Sequence, residues 1–353
     1  QFTLQLQVMK SHIIIVLYTV IACVSGQVNG HQDLISIDAN NQREVHVMHN
    51  DHHQPEYYGY ERLCPDAEKI APCVCQQSWD NTLDLNCWAV ESEEQLKQIF
   101  QADFPLKNFR KFYLHHNNNI KVLEAGVFNG VSFEIIYIRY NKLEVIESHA
   151  LDSCYDTATD MDFQNNNMTS FPFDELSHFS KLSNFDISNN LLSMIPTDAF
   201  NGLTALEYLH LNGNTAKIVG TFQELPNLHG IYLGGNDLTT IPVNFINTGS
   251  SKINYIGLSE NHIVSVDPSA FDIGDSLDID MWQNSLSTLD EATWRPYLEV
   301  GGVLEADDNP LMCGCDVAWL FGEDQLRDEI GYETTCINGE NLYDLDPKMF
   351  DEC

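Results

Sequence analysis

The sequence predicts an α/β-type solenoid: a curved parallel β-sheet on the concave face, with a disulfide-bonded cap at each end. Three observations carry that prediction. Nine asparagines, Asn117, Asn141, Asn166, Asn190, Asn214, Asn236, Asn261, Asn284 and Asn309, recur at spacings of 24, 25, 24, 24, 22, 25, 23 and 25 residues. Each sits in one apolar frame, clearest in Leu206-x-x-Leu209-x-Leu211-x-x-Asn214 and in Leu228-x-x-Ile231-x-Leu233-x-x-Asn236-x-Leu238-x-x-Ile241. Two groups of four cysteines bracket the array. A period above about 20 residues marks a stacked-repeat architecture.

The frame is that of the leucine-rich repeat, so the fold class is a leucine-rich-repeat solenoid, a binding scaffold more often than a reaction vessel. In each turn the two apolar residues flanking one variable position point inward from a short strand, because strand side chains alternate faces. Ile136 and Ile138 thus go in while Tyr137 goes out. The asparagine then turns inward, where its amide satisfies backbone groups that the bend leaves unpaired; each such group left unpaired costs about 1–3 kcal/mol. Leu143, Ile146, Leu192, Ile195, Ile241, Val266 and Leu289 carry the chain along the convex side. No turn buries its face alone, so stability comes from stacking. Regular short strands also suit an all-β sandwich, but the fixed asparagine and the long period argue against one. Repeat three replaces leucine and isoleucine by Ala158, Met161, Phe163 and Met168, swaps that keep apolar volume.

The chain divides in order. Residues 9–26 begin Met-Lys, run apolar from Ile13 to Val24 and exit through Val24-Ser25-Gly26, the pattern of a secretory signal peptide. Met9 is the expected initiator and residues 1–8 upstream sequence. The run is too short for the ~20 residues a membrane span requires, and the C-terminus carries no hydrophobic tail for a lipid anchor. The expected product is secreted, extracellular and free of any membrane span. Residues 27–60 form a flexible leader with His31, His46, His49, His52 and His53, then Tyr57-Tyr58-Gly59-Tyr60. His clusters of this kind bind transition metals weakly, and the leader is read as disordered with no metal site. Residues 61–108 form the N-terminal cap, 109–311 about nine repeats, and 312–353 the C-terminal cap.

Cleavage removes Cys23 and leaves nine cysteines in an oxidising compartment. The caps hold Cys64-x8-Cys73-x-Cys75-x11-Cys87 and Cys313-x-Cys315-x20-Cys336-x16-Cys353. Open solenoid ends need capping units, and disulfides tie them; zinc sites need closely paired ligands at finger spacing. Four cysteines allow three pairings, and in the N-terminal cap all three stay open. The segment from Asn309 to Cys315, continuing to Trp319-Leu320, resembles the cysteine-rich C-terminal flank of extracellular leucine-rich-repeat proteins. That resemblance implies Cys313–Cys336 and Cys315–Cys353. Cys154 is left over, as a buried thiol, an intermolecular bridge or a reactive group; the buried thiol, a small apolar side chain, is the reading adopted.

Formal charge is −35, from 17 basic and 52 acidic residues, and −36 once Lys10 leaves with the signal peptide (16 − 52). Nucleic-acid binding is disfavoured, since phosphate contacts need basic residues. Such charge suits solubility, a cationic partner or divalent-cation uptake; solubility is the reading adopted. Asn167-Met168-Thr169 is an N-glycosylation sequon; with Asn166 inward, Asn167 faces out.

Binding capacity belongs to the outward strand positions. The central column reads Tyr113, Tyr137, Asp162, Asp186, His210, Tyr232, Gly257, Asp280 and Glu305. The column beside it reads His115, Arg139, Gln164, Ser188, Asn212, Gly234, Ser259, Trp282 and Asp307, and Tyr140, Tyr208 and Tyr255 stand nearby. Tyrosine and tryptophan exposed on a rigid sheet are interface anchors, although tyrosine is also simply a good strand residue. Gly230, Gly234, Gly235 and Gly257 are expected to leave a low-relief patch open to a partner backbone. Serine-hydrolase, zinc-protease, P-loop and dinucleotide motifs are absent from the sequence. Asp162 and Asp186 face out on adjacent turns, but stacked repeats place equivalent residues together freely, so no catalysis is assigned to the pair. No cofactor is expected.

Cys64-Pro65-Asp66-Ala67-Glu68-Lys69-Ile70-Ala71-Pro72-Cys73-Val74-Cys75, the stretch Glu93-Glu94-Gln95-Leu96-Lys97-Gln98-Ile99-Phe100 and the Phe104-Pro105 beyond it resemble the N-terminal cap of one arthropod family. It is named for the non-catalytic leucine-rich-repeat subunit of deep-sea shrimp luciferase, Oplophorus-luciferin 2-monooxygenase. The resemblance covers roughly residues 61–353. It implies a secreted accessory subunit beside a small separate catalytic chain, with coelenterazine oxidised on that partner and no catalytic residue here. The alternative is an extracellular recognition module for microbial surface, matrix or receptor ligands.

Overall fold

The computed structural model describes residues 63–353, apart from 118, 197, 216, 219–221, 272–275 and 323–325. The expected signal peptide with Cys23 and the histidine- and tyrosine-bearing leader lie outside the described residues.

Eleven short strands form one sheet: β1 (Val74–Gln77), β2 (Leu83–Asn86), β3 (Asn108–Tyr113), β4 (Ser132–Tyr137), β5 (Asp160–Asp162), β6 (Asn184–Asp186), β7 (Tyr208–His210), β8 (Gly230–Tyr232), β9 (Tyr255–Gly257), β10 (Asp278–Asp280) and β11 (Leu304–Glu305). They lie side by side in chain order. β1 pairs antiparallel with β2, and every later pair is parallel. A strictly sequential parallel sheet with no crossover is the product of a chain that advances one strand per turn.

The inward residues of each strand are buried to completion; Ile136, Ile138, Leu209, Leu211, Ile231 and Leu233 are each 0% exposed. Repeat three follows the same rule with Ala158, Met161, Phe163 and Met168. The residue just before each ladder asparagine adopts a left-handed backbone, with φ between 50° and 63° at His116, Tyr140, Asn165, Asn189, Gly213, Gly235, Glu260, Gln283 and Asp308. That kink turns the next residue inward, so the asparagines form a buried line. Asn190 shows the pattern. Its Nδ2 donates to Phe163 O of the preceding turn (3.0 Å) and to Ile187 O and Ser188 O of its own (3.0 and 3.2 Å). Its Oδ1 accepts from Met168 N of the preceding turn (3.1 Å). Asn166, Asn261, Asn284 and Asn309 repeat these bonds.

Phenylalanines fill the space behind the sheet. Phe100, Phe112, Phe128 and Phe133 pack together, Phe112 and Phe133 with centroids 4.9 Å apart, and a second run links Phe163, Phe171, Phe185, Phe200, Phe222 and Phe245. The convex side is built from 3-10 turns and two-residue parallel ribbons, such as Val122–Leu123 on Val145–Ile146 and Thr240–Ile241 on Ser265–Val266. Cys154 sits there in the 3-10 turn Asp152–Cys154, free and buried, and burial pushes its thiol up to about 11.

Both ends of the sheet carry a disulfide-bonded cap. At the N-terminal end, β1 and β2 make a hairpin, with Cys64–Cys75 and Cys73–Cys87 bonded, beside α1 (Ala67–Ile70). α2 (Glu93–Ile99) begins at Ser92, whose side chain accepts from Gln95 N, and buries Leu96 and Ile99. At the other end α3 (Glu291–Leu298), started by the Asp290 side chain, buries Trp294, Tyr297 and Leu298. The final segment bridges back at Leu304–Ile330 and Leu311–Cys336 and holds the bonds Cys313–Cys336 and Cys315–Cys353. Among the described residues no helix is long and apolar enough to cross a membrane.

Candidate binding face

Register places the outward side chains. Tyr113, Tyr137, Asp162, Asp186, His210, Tyr232, Gly257, Asp280 and Glu305 are paired in succession across β3 to β11, one straight column. Two residues earlier runs another column: Lys111, Ile135, Asp160, Asn184, Tyr208, Gly230, Tyr255 and Asp278. Tyr208 and Tyr255 therefore belong to a full line of their own, with Asp160 and Asp278 in it. The expected face omitted those two aspartates, although the same alternation read two positions back along each strand points to them.

The first turns carry an aromatic and cationic cluster. Tyr113 and Tyr137 have ring centroids 5.5 Å apart, Tyr113 leans on His115, and His116 stacks on Tyr140 at 5.2 Å. The Arg139 guanidinium lies 4.9 Å over the Tyr137 ring and donates to Asp162 Oδ2 at 3.0 Å. Burial pushes the His115 imidazole below its ordinary value, helped by the neighbouring His116 and Arg139.

The middle turns are acidic and partly closed over. Asp162, expected to face solvent, is buried: Arg139 and Gln164 close over it, and its carboxylate accepts from Arg139 Nη1, Gln164 N and Gln164 Nε2. Its ion pair is thus with a side chain of the chain itself. Asp160 and Asp186 are held above the ordinary carboxylate range, by burial first. Facing Asp186, His210 is held below its usual value because burial outweighs the pull of the three aspartates.

The later turns carry a second aromatic run. His210 stacks on Tyr232 with centroids 4.3 Å apart and planes 11° from parallel; Tyr232 meets Tyr255 at 5.0 Å, and Tyr208 stacks on His229. Tyr255 Oη donates to Asp280 Oδ2 at 3.3 Å, and Trp282 stands exposed beyond. Two of the four glycines expected to form a low-relief patch, Gly230 and Gly257, are not open to a partner. Gly230 and Gly257 are buried beneath tyrosine: a Cβ on Gly230 would meet the Tyr232 ring at 3.2 Å, and one on Gly257 the Tyr255 ring at 3.0 Å. The glycines are room for rings lying flat on the sheet, the arrangement by which aromatics shield sheet glycines.

These groups offer aromatic faces, hydrogen bonds and carboxylates, the means of noncovalent recognition. Among the described residues no group of three or more His, Cys, Asp or Glu side chains is placed to hold a metal ion. A hollow of about 460 Å³ lies away from this face, lined by Phe171, Phe173, Pro196 and Asn201 among others. Asn167 and Thr169 of the sequon are both exposed.

Comparison with known proteins agrees with this geometry. Residues 180–238 match the family described as Leucine rich repeat. The chain is 32% identical over 315 residues to the Oplophorus-luciferin 2-monooxygenase non-catalytic subunit of Oplophorus gracilirostris, covering 81% of this chain and 87% of that protein. The chain belongs to that subunit's family. It is a non-catalytic leucine-rich-repeat protein with disulfide-bonded caps. A shorter match, 32% over 97 residues, is to Toll-like receptor 9 of Mus musculus; it spans 27% of this chain and 9% of the receptor. Among solved structures, a TLR13–ssRNA13 complex superposes with a TM-score of 0.51 at 24% identity, covering 63% of this chain and 31% of that one. The FLRT2-containing octameric complex with Latrophilin 3 and Unc5D gives 0.50 at 18%, covering 69% and 83%. These two matches establish a shared fold and nothing more.

Proposed function

We propose that the chain is a secreted accessory subunit whose concave face holds a separate protein, a catalytic chain of luciferase type by family membership. The observation that carries this reading is the pair of aromatic runs, Tyr113–Tyr137–Arg139–Tyr140 and Tyr208–His210–Tyr232–Tyr255, on a sheet too rigid to fold over them. Aromatic rings held in place lose little freedom on binding, which is why they dominate interface energetics. Four disulfides support export to an oxidising compartment, and there the exposed Asn167 is an acceptor for a glycan.

The test is affinity capture of the tagged, disulfide-bonded protein from native secretions, with mass spectrometry of what co-elutes. A double variant on the concave face, Tyr137→Ala/Tyr232→Ala, is compared with one on exposed residues away from it, Leu191→Ala/Met194→Ala. The expected result is one stoichiometric protein, lost by at least about tenfold in the first variant and retained in the second. Equal capture by both variants overturns the concave site. Capture of no stoichiometric protein overturns the subunit reading in favour of surface-ligand recognition.

A further inference from the structure

The two ends of the concave face differ in one respect. At the N-terminal end, Tyr137 on β4 and Asp162 on β5 are register neighbours, and the chain's own Arg139 fills the space between ring and carboxylate. At the C-terminal end, Tyr255 on β9 and Asp278 on β10 are register neighbours in the same order, and two residues after the tyrosine stands Gly257 in place of the arginine. Asp280, Glu305 and Asp307 extend the carboxylates past Tyr255, with Trp282 beside them. No lysine or arginine occupies an outward strand position from β7 to β11, and from Leu182 to Trp294 the chain holds two lysines, no arginine and thirteen carboxylates. Burial first, then the charges of Asp307 and Asp280, hold the Glu305 carboxyl above its ordinary range, and burial with the charge of Glu333 does the same for Asp307, so a positive charge brought among them relieves the repulsion.

We propose that the face formed by Tyr232, Tyr255, Asp278, Asp280, Trp282 and Glu305 receives an arginine-bearing segment of the protein partner. The proposal deepens the reading above and rests on it. Charge complementarity selects a cationic occupant. The chemistry of the face selects arginine among cations: a planar guanidinium lies on an aromatic ring while its fork meets a carboxylate, whereas an ammonium is a hydrated point charge. Arg139 on Tyr137 and Asp162 shows that contact formed within the molecule, and the C-terminal end presents aromatic and acidic partners with no arginine of its own: Gly257 holds the corresponding position and lies beneath the Tyr255 ring, whose contacts with a guanidinium must come from the side away from the sheet.

The test uses fluorescein-labelled nona-arginine and nona-lysine peptides, titrated by fluorescence anisotropy against the full protein at physiological salt. Asp278→Asn/Asp280→Asn removes charge and keeps at position 280 one oxygen to accept from Trp282 N, with an amide NH2 replacing the oxygen that accepts from Tyr255 Oη; Glu305→Gln is a second, independent variant. Asp152→Asn/Asp198→Asn, exposed and outside the columns, removes the same charge elsewhere. The expected result is a preference for the arginine peptide, at least about tenfold weaker binding in the face variants, and less than about twofold change in the control pair. Equal losses in face and control variants, or equal affinity for the two peptides, overturn the proposal. The same variants in the capture experiment separate the two ideas. Asp278→Asn/Asp280→Asn without effect where Tyr137→Ala/Tyr232→Ala abolishes capture defeats the arginine site alone. Tyrosine variants without effect defeat the accessory-subunit interface itself.

Discussion

One strand serves two faces, and the two obey different rules. On the inner side of β3 to β11, apolar pairs and the asparagine recur almost without change, and all nine asparagines are buried. On the outer side of the same strands the central column runs tyrosine, aspartate, histidine, glycine and glutamate within nine turns. Every inner side chain meets the same neighbour, the next copy of itself, so one solution suffices and is repeated. An outer side chain meets the solvent and a few adjacent residues, and nothing in the stacking forces it to repeat. Constancy is therefore the signature of folding here, and variation marks where a partner is chosen.

Adjacent residues give the sharpest way to break that contrast. Asn166 donates to Ile138 O, Phe163 O and Gln164 O and accepts from Leu143 N, while Asn167 beside it is exposed. Asn166→Ala is expected to cost about 2–4 kcal/mol, leaving several buried backbone groups unpaired, and Asn167→Ala to stay within about 0.5 kcal/mol. Equal midpoints in chemical denaturation would remove the distinction. The next effect lies on the outer face. Asp186 has its pKa raised, chiefly by burial, with the Asp162 charge adding and the Ser188 hydrogen bonds and His210 opposing. A raised folded-state pKa means the folded chain binds the proton more tightly than the unfolded one. The ionised group therefore costs stability at neutral pH, and that cost disappears as pH falls through the folded pKa toward the unfolded one. Asp186→Asn is expected to stabilise by about 0.5–1 kcal/mol at pH 7 and to lose that gain near pH 4. A gain independent of pH refutes the account. The smallest effect belongs to the kink where outside turns inward. Glu260 has φ 54° at a position that Asn165 and Asn189 fill in other turns. Glu260→Asn is expected to raise stability by about 0.5 kcal/mol, because asparagine tolerates the left-handed region better; thermal denaturation shows it.

The inner face was legible in the sequence nearly residue by residue, because burial enforces a period and a period is visible. Ile136, Tyr137 and Ile138 take the faces that alternation assigns them. The outer face was legible in its direction but not in its lateral contacts. Alternation says that Tyr255 faces outward; it does not say that its ring lies across Gly257 or that Arg139 and Gln164 bury Asp162. Those contacts depend on which rotamer each side chain takes, some toward a residue two positions away and some toward one in the next turn, and alternation alone records neither choice. The convex path was likewise beyond reach: Leu143, Ile195 and Ile241 were identifiable as apolar anchors, but two-residue ribbons and 3-10 turns have no period of their own.

The asparagine line also points one way. Asn190 reaches back one turn, to Phe163 O and Met168 N, and the Nδ2 of each counterpart likewise donates to a carbonyl of the turn before. A link that touches only its predecessor sets no limit on how many links follow. Excising residues 167–190 would put Leu191 directly after Asn166, restoring the step from ladder asparagine to leucine found at Asn190-Leu191. The spacing between successive asparagines already drifts between 22 and 25 residues without interrupting the sheet. Chain length is thus a variable that unequal recombination can change one turn at a time, lengthening or shortening the recognition face without redesigning what lies beneath it.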